Sequence, residues 1–187
     1  MKVFVCGASG LVGRDLGKLL SEKKIEWIGS YFSRPCANSS YVNFLEIDKL
    51  REHFRQTNPT HCVNCIAERA VDVCEQKWQL TKQNNIDIVR NLATVCKEQN
   101  IHFVHISTDY VFDGETPPFT PESRPNPLQS YGISKLIAEL RVQLLLPSAT
   151  IIRVPVLYTD SYHNFTETAV TLIGKKVLDC TLSLIHI

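Results

Sequence analysis

The sequence predicts an α/β fold built on a doubly wound parallel sheet. Three observations predict it. Short β-branched or aromatic runs alternate with longer segments of helical apolar spacing, the sequence form of repeated βαβ units. A glycine-rich turn lies directly between the first run and the first helical segment. A chain of 187 residues with ordinary composition suffices to bury one sizeable core.

Six strands are expected, at residues 2–6, 26–31, 41–45, 61–66, 102–107 and 150–154. The helical segments between them carry apolar stripes, first Val12, Leu16, Leu19 and Leu20, later Ile86, Val89, Ala93 and Cys96, which should cover the sheet. The helix after Gln79 should end at Asn100 and the one after Tyr131 before Pro147, since both residues stop helices. Residues 113–127 hold five prolines and read as a stiff surface loop beyond the fifth strand, a place that commonly faces ligand.

Composition excludes several classes. A formal charge of +1, with basic residues scattered among acids, gives no footprint for nucleic acid or an anionic membrane. No apolar run is long enough to span a bilayer, and Met1 runs into the first strand without room for a signal peptide. Seven cysteines, an odd number at irregular spacing, suggest reduced thiols and a cytoplasmic protein. The sequons at Asn38 and Asn164 carry no meaning without secretion.

The turn is Gly7-Ala8-Ser9-Gly10-Leu11-Val12-Gly13. Glycine lets the backbone turn tightly and lets a pyrophosphate approach, while the helix that follows offers unpaired N–H groups and a positive dipole end. At the end of the second strand, Ser30-Tyr31-Phe32-Ser33-Arg34 has no carboxylate for ribose hydroxyls. Arg34 suits a 2′-phosphate instead, so NADP(H) is the expected cofactor.

A second constellation is Tyr131-Gly132-Ile133-Ser134-Lys135, a phenol and an ammonium one helical turn apart. A phenol titrates near ~10, and a neighbouring cation should lower that value toward the range of a useful proton donor. Such a pair gains weight from Ser107-Thr108-Asp109 at the end of the fifth strand. Neighbouring strand side chains point oppositely, so one hydroxyl should face the site to hold a carbonyl, and Thr108 is the choice.

With these residues the segment from Lys2 to about Val177 resembles the extended short-chain dehydrogenase/reductase family. Within it the chain is similar to the dTDP-4-dehydrorhamnose reductase (RmlD-like) group through residues 107–114, 131–135 and Asn64-Cys65-Ile66-Ala67. It is more similar still to the regulatory β subunits of methionine adenosyltransferase, through Ala67-Glu68-Arg69, Asp72-Val73 with Glu75, Pro155-Val156-Leu157-Tyr158 and residues 167–171. The resemblance implies a Rossmann fold of strand order 3-2-1-4-5-6. It implies that Gly7, Ser9, Gly10, Leu11, Val12 and Gly13 hold the pyrophosphate, with Arg34, Ala67, Asn85, Tyr131, Lys135, Pro155 and Val156 also on or supporting the cofactor. It further implies Thr108, Tyr131 and Lys135 as the reductase set. Two positions depart from the family: Thr159 replaces a glycine, and Asn43 stands where Asp is frequent.

Two functions follow from the resemblance. One is an NADP(H)-binding regulator that attaches to the methionine adenosyltransferase catalytic subunit and modulates S-adenosylmethionine synthesis, and it is the preferred one. The other is an NADPH-dependent reductase of a 4-keto nucleotide-sugar substrate. Residues 1–180 are expected to form the NADP-binding domain and 181–187 a tail that matches nothing in the family, so that the family's C-terminal substrate portion is largely missing.

Cys62 and Cys65 have zinc-like spacing, but on a strand they point to opposite faces, and no metal site is expected. His102 and His105 fail in the same way, and Ser107 lacks the elbow of a serine hydrolase.

Overall fold

The computed structural model describes residues 1–155. Six parallel strands form one sheet in the order β3-β2-β1-β4-β5-β6: β1 Lys2–Cys6, β2 Glu26–Tyr31, β3 Ser39–Tyr41, β4 His61–Asn64, β5 His102–Thr108 and β6 Thr150–Val154. The helices are α1 Leu11–Glu22, α2 Ile47–Thr57, α3 Val71–Gln76, α4 Trp78–Lys82, α5 Ile88–Glu98 and α6 Ser130–Leu145. No helix among the described residues is long and apolar enough to cross a membrane.

Alternation along the strands divides the core in two. Phe4, Cys6, Cys62 and Phe103 face one layer with Leu50 and Phe54 of α2, Val89 and Leu92 of α5, and Ala138 and Val142 of α6. Val3, Val5, Val63 and Val104 face the other, with Leu16 and Leu20 of α1. Burial of each valine, leucine and phenylalanine among these side chains contributes on the order of 1.5–3 kcal/mol, which is what fixes the strand register. Cys62 and Cys65 pack in different layers, as their spacing requires.

The third strand is corrected. It occupies Ser39–Tyr41 rather than 41–45. Val42 and Phe44 are buried on alternate positions, which imitates a strand, but Asn43 turns the chain: its side chain accepts from the Leu45 N–H at 3.1 Å and its carbonyl from the Glu46 N–H at 3.2 Å. β4 likewise ends at Asn64, because the Asn64 side-chain oxygen takes the Ile66 N–H at 3.1 Å.

The expected helix from Gln79 is an unbroken run of α4, a π-helical turn Gln83–Asp87, and α5. Its Ile86, Val89, Ala93 and Cys96 are all buried. Asn100 follows α5 with φ +55°, as Asn58 follows α2 with φ +46°, both in the left-handed region that asparagine tolerates at helix ends. No residue of the proline-rich loop is among those lining the cleft described below. Phe119 stacks on Phe112 with centroids 4.4 Å apart, and the Pro121 carbonyl accepts from Arg153 at 3.3 Å, which pins the loop beside β6.

Candidate functional site

The β1-β4 neighbourhood marks where the sheet's connections reverse direction, the kind of point at which open α/β sheets form a ligand crevice. A cleft of about 480 Å³ opens at this point, over the carboxyl ends of β1, β4, β5 and β6. Its floor on one side is the turn into α1. Gly7 has φ +75°, and a Cβ on Gly13 would lie 2.3 Å from the Gly7 carbonyl oxygen, so the tight turn packs against its own helix only without side chains at these positions. Ser30 at the end of β2 holds the turn from behind: its hydroxyl accepts from the Gly7 N–H at 3.0 Å and its carbonyl from the Ala8 N–H at 2.8 Å. The unpaired N–H groups at the start of α1, with no acid in the first turn, favour an anion there.

Of the residues singled out above, Gly10, Leu11, Val12, Arg34, Ala67, Thr108, Tyr131, Lys135 and Pro155 line this cleft. Gly7 and Gly13 shape its floor without lining it, and Ser9 lies half-buried in the same turn, also outside the lining. Val156 lies outside the described residues. Asn85 is fully buried behind the cleft in the π-helical turn. There its side chain accepts from the Glu68 N–H at 2.7 Å and donates to the Glu68 carbonyl and to Ser134 Oγ, each at 2.9 Å. It thus ties the segment after β4 to α6.

Sequence reasoning missed Asn64, Ile66, Arg69, Ile106 and Tyr110 as lining residues. Asn64, Ile66, Arg69 and Tyr110 carried a signal in the motifs Asn64-Cys65-Ile66-Ala67, Ala67-Glu68-Arg69 and residues 107–114, whereas Ile106 owes its place to its position near the end of β5, which no local pattern marks. Both Ser107 and Thr108 line the cleft, not one alone, because it wraps around the end of β5. Among the described residues, the buried Ser107 Oγ has no hydrogen-bond partner. Thr108 Oγ1 accepts from the Tyr110 N–H at 3.2 Å and donates to Asp109 at the same distance.

The electrostatics of the Tyr131–Lys135 pair also differ from expectation. Burial raises the Tyr131 phenol above its ordinary value; the Thr108 hydroxyl opposes this, and Cys74, Asp109 and Tyr110 add to it. The Lys135 ammonium is drawn to the Ile106 carbonyl at 2.6 Å, and burial pushes it down to about 8. Asp109 is raised by burial, and Cys65, on the cleft wall, is pushed up to about 12 for the same reason.

The family of RmlD substrate binding domains matches residues 1–179. The chain belongs to this family. It is 34% identical over 176 residues to methionine adenosyltransferase 2 subunit beta of Xenopus tropicalis, which covers 94% of this chain and 52% of that protein. Among solved structures, a hypothetical dTDP-4-dehydrorhamnose reductase from Sulfolobus tokodaii superposes with TM-score 0.78 at 34% identity, over 84% of this chain and 57% of that one. A dTDP-4-dehydrorhamnose reductase from Bacillus anthracis, in complex with NADP, superposes with TM-score 0.74 at 27% identity, over 84% of this chain and 54% of that one. The chain spans about half the length of the curated relatives it matches.

Proposed function

We propose that the chain binds NADP(H) and serves as the nucleotide-binding part of a methionine adenosyltransferase regulatory subunit, attached to the catalytic subunit. The observation that carries this reading is similarity to methionine adenosyltransferase 2 β subunits along 94% of the chain, combined with a cleft suited to a dinucleotide. The residues fit NADP(H). The side-chain-free turn of Gly7, Gly10 and Gly13 leaves room for a pyrophosphate at the start of α1, with Ser9, Leu11 and Val12 around it. Arg34, exposed at the mouth of the cleft after β2, would pair with the 2′-phosphate where no carboxylate competes. Ala67, Pro155 and Val156 would lie along the dinucleotide, and Asn85 would support the wall from behind.

A second reading, an NADPH-dependent reductase of a 4-keto nucleotide sugar, is favoured by one observation: Thr108, Tyr131 and Lys135 converge in the same cleft. Bound nicotinamide would supply hydride chemistry. Thr108 would hold the substrate carbonyl, Tyr131 would carry the proton it receives, and Lys135 would bond ribose hydroxyls.

The test pairs two measurements on one preparation: capture of the methionine adenosyltransferase catalytic subunit, and NADPH oxidation with the keto sugar. Capture without turnover is expected. Turnover that Tyr131→Phe abolishes, with no capture, favours the reductase, and absence of NADP(H) binding sinks both readings.

A further inference from the structure

Lys135 is 2% exposed, and its nitrogen meets an imidazole as well as a carbonyl: His105 Nε2 lies 3.4 Å from Nζ. His105 is itself fully buried on β5, directly across from Asn64 on β4. Hydrogen-bond logic fixes where its proton sits. A backbone N–H can only donate, so the 3.1 Å contact from Ile66 assigns Asn64 Oδ1 as the acceptor. The Asn64 amino group therefore faces His105 Nδ1, 3.2 Å away, and Nδ1 must accept. In a neutral imidazole the proton then resides on Nε2, pointing at Lys135. An ammonium has no lone pair to receive it, whereas an amine has one and can still donate to Ile106 O.

The acid that would otherwise hold Lys135 as a cation is engaged elsewhere. Glu139 lies one turn along α6, 1% exposed, and Arg153 on β6 takes both its oxygens, at 3.1, 3.2 and 2.7 Å. Among the described residues, the Cys65 thiol just after β4 and the Ile106 carbonyl of β5 also face Lys135.

We propose that Asn64 and His105 are positioning residues for Lys135, which together present its nitrogen with a donor that an uncharged amine accepts and an ammonium does not. The directions of titration agree: burial takes His105 well below its ordinary value, with Lys135 adding to the fall, so the imidazole is neutral. Burial also brings Lys135 to about 8, against the partial opposition of Glu139 and Cys65. Lys135 is then a group that can take up or release a proton near neutral pH rather than a permanent cation. The arrangement concerns the chain's own residues, and it deepens the NADP(H) reading by making Lys135 the point where ribose hydroxyls would meet a titrating nitrogen.

The test is a lysine side-chain NMR titration of the nucleotide-free chain, with Lys135→Met used to assign the signal. A Lys135 midpoint near 8 is expected, rising in Asn64→Leu by about one unit, tenfold in proton affinity, because the imidazole is then free to place its proton on Nδ1 and accept from an ammonium. A midpoint near the ordinary lysine value of about 10.4, or one unmoved by Asn64→Leu, overturns the proposal. Nitrogen NMR of His105 in the unaltered chain provides a measurement that needs no variant. The Nε2-protonated tautomer is expected, and an Nδ1-protonated ring or an imidazolium overturns the proposal. Failure to bind NADP(H) would sink the functional reading and leave these titrations unchanged, so the two failures are distinguishable.

Discussion

Glu75 of α3 accepts two hydrogen bonds from Ser130, from its backbone N–H at 2.6 Å and its hydroxyl at 2.7 Å, so that an acid of one helix closes the start of another. Tyr131 is the next residue along. The orientation of the phenol in the cleft is therefore set partly by a carboxylate 55 positions earlier in the chain.

These two bonds hold the Glu75 carboxyl below its ordinary value. A carboxylate with a depressed folded value stabilises the fold above its unfolded titration point and loses that contribution as pH falls through the folded value. Glu75→Gln is expected to lower the melting midpoint at pH 7. The deficit should shrink as both proteins are acidified below about pH 4, and thermal melts across pH 3–7 measure it.

Gly13→Ala places a Cβ 2.3 Å from the Gly7 carbonyl oxygen and 2.8 Å from the Ala8 Cα, both backbone atoms that cannot yield cheaply. Overpacking of this kind costs about 1–3 kcal/mol. Because the displaced atoms form the turn, NADP(H) affinity should fall by at least about tenfold as well, as read by calorimetric titration and urea denaturation.

Arg34→Ala should weaken NADP(H) binding at least about tenfold, the size of a lost charge-assisted hydrogen bond, while leaving NAD(H) affinity within about twofold. Parallel titrations with the two nucleotides decide it, and equal losses for both would place Arg34 away from the 2′-phosphate.

Glu139 and Arg153 form a pair in which the carboxylate is nearly inaccessible, and Arg153 also lies over the Phe112 ring at 5.0 Å. Glu139→Leu alone should cost about 3–5 kcal/mol by leaving a guanidinium without its partner. Glu139→Leu combined with Arg153→Met should cost markedly less. Denaturant unfolding of the single and double variants gives the comparison.

The bounds of β1, β2 and β6 were legible because each apolar run stops at a turn residue or a polar cluster. The stripe on α5 was legible for the same local reason, helical spacing. β3 was not, since Val42 and Phe44 alternate like a strand while Asn43 bends the chain. The turn at Gly7–Gly13 and the Tyr131–Lys135 spacing could be read directly, but the electrostatics of that pair could not. They depend chiefly on burial, which encloses both groups only once α6 packs against β5. Ser30, Glu75 and Asn64 act across strands or helices far apart in sequence, and no periodicity announces them.

The π-helical turn at Gln83–Asp87 sets local regularity against global purpose. Removing one residue there would let the α-helical ladder run through without interruption, a gain for the isolated segment. The same deletion would swing Asn85 roughly 100° around the axis, away from Glu68 and Ser134. A smoother helix would thus make a looser cleft wall, a point of frustration the sequence retains because the tertiary contacts outweigh the ideal coil.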